Sequence, residues 1–447
     1  MTARRDTTQR RLPRRRHRAR PAGPAGRRAR AALAVLVALA LAGCGLLGGA
    51  DEGRAPTGAG RTSSAAPQAS TTPPPDPDTA SGWGPTLGEL EQARALVDAM
   101  DDADRVATVL MPGFWGYDGE SPTPAEAAQN QLMHGVDSPA EVAAGQPYGG
   151  FFLRPEVIAD ADQVRRLTQV LHERGDGPDG LPLLVSMDQE GGVVQRLRVG
   201  VAPVPSAASV GYSGSTAYAR KVARANGRTL RDLGVTMVLA PVADVDPDSV
   251  SVMGSRTYSP DRRVAARMVV ATMRGYLQAG VVPVLKHFPG LGTVSGDSHR
   301  SLPVQDKSLA ALRRTDLVTF RAAVDAGAPV VMTGHVAVPA LDRGMPASLS
   351  RTVLDTVLRG ELGFEGVAIT DSQGMGPVYG RYGPAEGAIR SLLAGNDLVL
   401  NSPRPRQARR AVLAAVRSGR IPAERLAEAA TRVEALRIYQ QRLAEAS

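Results

Sequence analysis

Eight short apolar runs, separated by longer amphipathic stretches, constrain the fold of this chain of 447 residues more than any other feature of its sequence. Such an alternation is the pattern of parallel β-strands joined by crossover helices. The candidate strands are residues 106–114, 149–153, 183–187, 236–240, 281–285, 330–333, 366–370 and 397–400. Eight strand–helix units in roughly 350 residues predict an α/β protein with a single (β/α)8 TIM-type barrel.

A doubly wound open sheet is the main alternative architecture. It is disfavoured because no glycine-rich dinucleotide fingerprint opens a helix after the first candidate strand. A last helix is predicted from just after Pro422 to near Ala446, and we expect no second domain.

The N-terminal region has the organisation of a secretory signal. An arginine-rich stretch ends at Arg30, and the apolar segment that follows, residues 31–42, is too short to cross a bilayer as a permanent helix. Leu41-Ala42-Gly43-Cys44 resembles a bacterial lipobox, in which Cys44 would be lipidated. The alternatives are a buried thiol and a chance cysteine after an ordinary signal peptide. Cys44 is the only cysteine, so an intrachain disulfide is excluded.

Composition divides the chain into three predicted parts. Residues 1–43 are expected to be the signal peptide, residues 44–85 a disordered linker rich in Pro, Ser, Thr and Ala, and residues 86–447 the barrel domain. The first part carries a net charge of +11, more than the +9 of the whole chain, so the remainder is slightly acidic. Nucleic acid is therefore not an expected partner. The expected location is the outer face of the cell membrane, through the lipid anchor.

The densest group of polar residues follows the fifth candidate strand. Lys286-His287-Phe288-Pro289-Gly290 comes directly after residues 281–285, and Asp297-Ser298-His299 follows shortly afterwards. In α/β barrels the active site is built at the C-terminal ends of the strands. This segment therefore predicts part of an active site.

Other candidate strands also end in polar residues. After the third strand, Asp188 and Glu190 would face the same side, as a general acid/base pair or a metal site, unless Glu190 caps a helix or pairs with Arg196. Arg256 follows the fourth strand and could bind a hydroxyl or carboxylate, or form an ion pair. Asp371 follows the seventh strand, either at the barrel mouth or as a helix N-cap.

Five of these segments resemble the motifs of glycoside hydrolase family 3 and, within it, of the NagZ-type bacterial β-N-acetylglucosaminidases. The segments are residues 188–192, 254–256, 286–290, 297–299 and 370–372. The resemblance extends from about residue 87 to about residue 436, nearly the whole predicted domain. The tethered form is similar to the secreted lipoprotein members of actinobacteria.

The resemblance implies a set of site residues. Asp371 would be the nucleophile of a retaining glycosidase, which forms a covalent glycosyl–enzyme intermediate. His299 would be the acid/base, oriented by Asp297, since an imidazole with a pKa of about 6.5 both donates and accepts a proton near neutral pH. The residues that would bind sugar hydroxyls are Asp188, Arg196, Arg256, Lys286 and His287, although Lys286 could instead be an ion-pair partner of Asp188 or Asp244. No metal ion or organic cofactor is implied.

Two positions depart from the family pattern. Leu291 stands where the family commonly has His, and Val193 where it commonly has Arg. Neither change touches Asp371, Asp297 or His299, so activity is still expected while the substrate preference stays open.

The expected function is that of a lipid-anchored, exo-acting, retaining β-N-acetylglucosaminidase that removes terminal GlcNAc from peptidoglycan fragments. Its expected partners are a small saccharide or muropeptide substrate and the membrane, and we expect a monomer. One alternative is a GlcNAc phosphorylase with the same His/Asp dyad, because an imidazole tolerates an incoming phosphate that a carboxylate base would repel. Another is a non-catalytic cell-wall glycan-binding lipoprotein. A β-glucosidase or β-xylosidase is less favoured, because many such relatives have a further domain and a carboxylate acid/base.

Overall fold

The computed structural model describes residues 76–176, 180–247, 251, 253–294 and 301–447. These residues all belong to one compact unit, Thr72–Ser447. The predicted signal peptide with Cys44, the linker before residue 76, and the predicted acid/base pair Asp297 and His299 lie outside the described residues.

Eight parallel strands form the centre of the fold. They are β1 Leu110–Met111, β2 Gly150–Phe152, β3 Leu184–Met187, β4 Met237–Val238, β5 Val282–Phe288, β6 Val330–Thr333, β7 Val367–Thr370 and β8 Val399–Leu400. Strands β2 to β7 form one sheet in chain order, and β8 pairs in parallel with β1. The two sheets are joined by the Thr370 N–H donating to Leu398 O (3.0 Å) and the Phe152 N–H donating to Pro112 O (2.9 Å). The α/β prediction is thus confirmed as a curled parallel sheet, and each of the eight candidate strands overlaps one observed strand.

Helices connect the strands and cover the sheet. They are α1 Leu87–Ala99, α2 Asp102–Thr108, α3 Pro124–Met133, α4 Pro139–Gly145, α5 Ala161–Gly175, α6 Ala207–Tyr212, α7 Thr216–Asp232, α8 Arg262–Leu277, α9 Leu309–Arg314, α10 Leu317–Val324, α11 Gly376–Ala394, α12 Pro405–Arg417 and α13 Ala423–Glu445, with a π-helix at Thr352–Glu361. Helix α13 confirms the helix predicted after Pro422. Among the helices of the described residues, none combines the length and apolar character needed to span a bilayer.

Successive side chains along a strand pack on opposite faces of the sheet, in two different apolar clusters. One apolar cluster takes residues from all eight strands, including Val330 and Met332 of β6. The intervening Val331 belongs to a different cluster, which packs under the helices. Because side chains alternate along a strand, a strand buried on both sides reads as a continuous apolar run. This burial explains why the strands were visible in the sequence.

Two predicted boundaries differ from the structure. The first third of the candidate strand 106–114 is helical, because α2 runs to Thr108. The N-terminus of α2 is capped by Asp101, whose carboxylate accepts from the N–H groups of Ala103 and Asp104. The fifth strand continues past residue 285 to Phe288, so Lys286 and His287 lie on the strand itself.

The end of the predicted linker is part of the packed domain. Residues 76–85 are described, and the Ser81 N–H donates to Pro85 O at 3.0 Å. Trp83 is only 4% exposed and belongs to the same apolar cluster as Tyr439 of α13. The packed chain therefore begins before residue 86.

Candidate active site

A cavity of about 420 Å³ opens at the C-terminal ends of the parallel strands. Predicted site residues that line it are Asp188, Arg196, Lys286 and Asp371, and other lining residues include Phe152, Arg154, Glu156, Leu239, Met332, Ser372, Leu400 and Asn401. These residues lie near or just after the C-terminal ends of seven strands, β2 to β8, so the sheet brings together side chains that are far apart in the sequence.

Lys286 is the central cation of the site. Its side chain is 3% exposed, and its Nζ lies 2.6 Å from Asp188 Oδ1 and 2.8 Å from Glu190 Oε1. Asp188 and Glu190 therefore face the same side, as their spacing predicted. Burial opposes the charge of Lys286, but the two carboxylates outweigh it and raise the Lys286 pKa above its ordinary value. The cation is thus fixed in place and stays protonated.

Glu190 forms a second, forked ion pair with Arg256. Arg256 Nε donates to Glu190 Oε2 at 2.8 Å, and Nη2 donates to Oε1 at 2.7 Å. Burial would raise the pKa of Glu190, yet Lys286 and Arg256 hold it at about 2. Glu190, which the sequence left between several roles, thus connects two of the predicted sugar-binding cations and does not pair with Arg196.

His287 is oriented by a buried carboxylate. Its Nδ1 lies 2.7 Å from Asp244 Oδ2, and Asp244 is fully buried. The other Asp244 oxygen accepts from the backbone N–H of Leu291 at 2.7 Å. Asp244 therefore fixes both the imidazole and the turn that follows β5, which leaves the second ring nitrogen of His287 for other partners.

Asp371 stands directly after β7 with its carboxylate in the cavity. Its backbone N–H donates to Thr333 O at 2.9 Å, and its Oδ1 accepts from the Ser372 N–H at 2.7 Å. Burial would raise the pKa of Asp371, but the charges of His287, His335 and Lys286 and the Ser372 hydrogen bond hold it below its ordinary value. The next helix begins at Gly376 with Met375 as its N-cap residue, so the N-cap alternative for Asp371 was wrong. An ionised carboxylate facing the cavity is what a nucleophile requires.

His335 supports the loop after Asp371. Its Nε2 lies 2.9 Å from Ser372 O, and its Nδ1 lies 2.7 Å from Ser348 Oγ. Asn401, which follows β8, donates from Nδ2 to Ser372 Oγ at 2.9 Å. The peptide that carries the predicted nucleophile is therefore held from two neighbouring strands.

The predicted site residues differ in how closely the structure connects them. Glu190 and Lys286 connect Asp188 and Arg256 into one network, and His287 pairs separately with Asp244. Arg196 is an exposed residue that reaches the cavity from just after the hairpin that follows β3. Over the described ranges, no three His, Cys, Asp or Glu side chains group as metal ligands would. The geometry contradicts a metal site at Asp188 and Glu190, because their carboxylates form ion pairs with Lys286 and Arg256.

Three site residues were missed by the sequence reasoning. Arg154 and Asn401 directly follow the second and eighth candidate strands, so the rule that singled out Asp371 applied to them as well. Asp244 was noted only as an ion-pair alternative for Lys286, and it contacts His287 instead. Its role depends on a contact between residues 43 positions apart, which the sequence does not reveal.

Comparisons with known proteins show which sequences and structures this chain is similar to. The family model described as "Glycosyl hydrolase family 3 N terminal domain" matches residues 126–436. The chain is 40% identical over 234 residues to the β-hexosaminidase LpqI of Mycobacterium tuberculosis, covering 51% of this chain and 59% of that protein. It is 36% identical over 258 residues to a β-hexosaminidase of Thiobacillus denitrificans, covering 56% of this chain and 70% of that protein.

A solved structure is also similar. The glycoside hydrolase family 3 β-N-acetylglucosaminidase from a Paenibacillus species aligns with a TM-score of 0.70 at 35% identity, covering 77% of this chain and 63% of that one.

The match to the β-hexosaminidase A of Pseudoalteromonas piscicida, 31% identical, covers 65% of this chain and 52% of that protein. The chain thus spans about half to two thirds of the length of several relatives that it matches.

Proposed function

The chain belongs to glycosyl hydrolase family 3, and from this premise we propose that it is a retaining β-N-acetylglucosaminidase that removes terminal β-linked GlcNAc through a covalent glycosyl–enzyme intermediate. The observation that carries the proposal is Asp371. Its carboxylate faces the cavity, and neighbouring positive charges lower its pKa, so it is ionised and available to attack at neutral pH. The β-N-acetylglucosaminidase and β-hexosaminidase names of the relatives support the choice of sugar.

The ion-pair network beside Asp371 supports an exo mode of action. Lys286 and Asp188 face the cavity with charged hydrogen-bonding groups, which suit the hydroxyls of a terminal sugar. Glu190, itself paired with Arg256, holds Lys286 in position from behind, and Asp244 orients the adjacent His287. A prearranged set of donors and acceptors reduces the cost of orienting the sugar above the nucleophile.

The mechanism then needs one proton donor. Attack of Asp371 on the anomeric carbon breaks the glycosidic bond, and His299 protonates the departing oxygen. The same imidazole removes a proton from the water that hydrolyses the glycosyl–enzyme intermediate. Asp297 orients His299, as a carboxylate orients the base of a catalytic triad. These two roles rest on the family resemblance alone.

We propose peptidoglycan fragments as substrates and the outer face of the membrane as the location. The support is the lipobox-like Leu41-Ala42-Gly43-Cys44, which would anchor the enzyme outside the cytoplasm. Outside the cytoplasm, β-linked GlcNAc is a component of the bacterial cell wall.

The test is turnover of 4-nitrophenyl β-GlcNAc and of purified muropeptides, with and without phosphate. We expect hydrolysis to free GlcNAc with retained configuration, and Asp371→Asn to lower kcat by at least about 10³-fold, while Asp325→Asn, which changes an exposed carboxylate just after α10, should leave kcat near wild type. Wild-type-like turnover by Asp371→Asn would overturn the proposed nucleophile. Phosphate-dependent release of a sugar 1-phosphate would replace hydrolysis with phosphorolysis, and glycan binding without any turnover would indicate a binding protein.

A further inference from the structure

Arg154 is a cation of the cavity whose donors are not satisfied by the protein. It follows β2, its side chain is 15% exposed, and it lines the cavity. Its Nε and Nη2 atoms are buried and have no hydrogen-bond partner within the described part of the chain. The nearest carboxylate is that of Glu156, with Oε2 3.7 Å from Arg154 Nε, too far for a hydrogen bond.

Lys286 and Arg256 differ sharply from Arg154 in their partners. Lys286 contacts two carboxylates within 2.8 Å, and Arg256 makes a forked pair with Glu190. A buried donor without an acceptor costs free energy, so such groups in native proteins usually have a partner. Burial lowers the pKa of Arg154 and Glu156 only partly offsets it, consistent with a cation that its surroundings compensate incompletely. An anionic ligand would supply the missing acceptors.

The guanidinium is also held in place without consuming those donors. It lies over the ring of Trp115, 4.0 Å from the ring centroid. The aliphatic part of the Arg154 side chain packs beside Gly113, where an added Cβ would stand 2.8 Å from Arg154 Cδ and 3.0 Å from Asn401 Oδ1. Arg154 is thus adjacent to Asn401, which in turn contacts the residue after Asp371. A planar fork fixed in this way suits the two oxygens of a carboxylate.

We propose that Arg154 binds a carboxylate of the substrate, on the side of the cavity formed by β1, β2 and β8. This inference rests on the proposed glycosidase function and makes it more specific: the preferred substrate has an acidic group within reach of the cleaved bond. The carboxylate belongs either to the leaving group or to the sugar that is released. Glu156 competes with it for the same guanidinium.

The experiment compares acidic and neutral substrates in matched pairs. One pair is 3-carboxy-4-nitrophenyl β-GlcNAc and its methyl ester, which differ in the leaving group. The other pair is 4-nitrophenyl β-GlcNAc and the corresponding glycoside of 2-acetamido-2-deoxyglucuronic acid, which differ in the released sugar. The readout is the ratio of kcat/KM for the acid to that for its neutral partner, measured for wild type, Arg154→Met, Glu156→Gln and the control Arg198→Met, an exposed arginine on the neighbouring hairpin.

We expect wild type to favour the acid in one of the two pairs, and that pair identifies the source of the carboxylate. Arg154→Met should lower this ratio roughly 10-fold to 100-fold because a charged hydrogen-bond pair is lost. Glu156→Gln should raise the ratio a few-fold, and Arg198→Met should leave it unchanged. Equal loss on acid and neutral substrates in Arg154→Met, or no acid preference in wild type, would overturn the inference while leaving the glycosidase intact. No turnover of any of these substrates would overturn the proposed function itself, and this inference with it.

Discussion

At the scale of single residues, Glu190 determines how the charges of the site balance. It contacts Lys286 and Arg256 at the same time, so its removal would take away the carboxylate that these two buried cations share. Removing one partner of a buried ion pair is far more costly than never having had the pair, because the remaining charge stays desolvated. Glu190 therefore acts through the residues it positions, without needing to touch the sugar.

We predict that Glu190→Gln lowers the free energy of unfolding by about 3 kcal/mol and lowers kcat/KM by more than about 10-fold. The matched control is Glu386→Gln, which removes a partly exposed partner of Arg390 and Arg420 and should change either quantity little. Urea unfolding and steady-state kinetics measure the two effects. A stable, fully active Glu190→Gln would contradict the positioning role.

The same ion pairs predict a pH dependence. The Glu190 pKa is about 2 in the folded protein, below its ordinary value of 4.5. A lowered folded pKa stabilises the protein fully above the unfolded value, and this contribution is lost as the pH falls from 4.5 toward 2. The stability difference between wild type and Glu190→Gln should therefore be constant between pH 6 and 7, and shrink below about pH 4.5. A difference that stays constant down to pH 3 would contradict the assignment.

At the scale of elements, the turn after β5 follows the strand that carries Lys286 and His287 and precedes, in the sequence, the segment with Asp297 and His299. Leu291, at the first departure from the family pattern, is 3% exposed and packs in the apolar cluster of Phe288 and Val294. Its backbone N–H is held by Asp244. The apolar side chain is thus an anchor for the turn, whereas Val193, at the second departure, is 65% exposed.

We predict that Leu291→Ala lowers the free energy of unfolding by about 3 kcal/mol, through lost burial and a remaining cavity. Val193→Ala, the matched control at the exposed departure, should change stability by less than about 0.5 kcal/mol. Chemical denaturation of both variants is the measurement. Equal effects of the two substitutions would contradict the anchoring role of Leu291.

The strands and their side-chain directions could be predicted from the sequence, whereas one helix end and one long-range ion pair could not. The buried strands were found because both of their faces are apolar, and Asp188 and Glu190 were correctly assigned to one side because strand residues alternate. Thr108 and its neighbours were assigned to a strand because Val106 and Ala107 suit either element, and the deciding cap at Asp101 lies outside the apolar run. The pairing of Glu190 with Arg256 joins residues 66 positions apart, and only the folded sheet brings them together.

At the scale of the whole molecule, a buried ion-pair cluster around Asp397 lies at the end of the sheet opposite the cavity. Asp397, fully buried before β8, accepts from Arg359 at 2.6 Å and from Arg425 at 2.8 Å, and Arg432 lies 3.3 Å away. Two of these arginines belong to α13, so the cluster fastens the C-terminal helix to the sheet. It lies away from the cavity and contributes none of its lining residues.

We predict that Asp397→Ala lowers the free energy of unfolding by more than about 3 kcal/mol, because three guanidinium groups lose their shared carboxylate. Asp355→Ala, which removes the exposed pair with Arg351, should cost about 0.5 kcal/mol or less. Thermal unfolding separates the two. The folded fraction of Asp397→Ala should keep wild-type kcat, and a selective loss of kcat would contradict the separation of stability from chemistry.

The proposed mechanism depends most on attack of Asp371 on the anomeric carbon of the sugar. The most direct measurement is mass spectrometry of the protein after incubation with a 5-fluoro-β-GlcNAc donor, which slows breakdown of a glycosyl–enzyme intermediate more than its formation. We predict a mass increase of one sugar, carried by the peptide that contains Asp371 and absent from Asp371→Asn. Turnover of β-GlcNAc substrates without an adduct on that peptide, or with an adduct on another residue, would contradict the account.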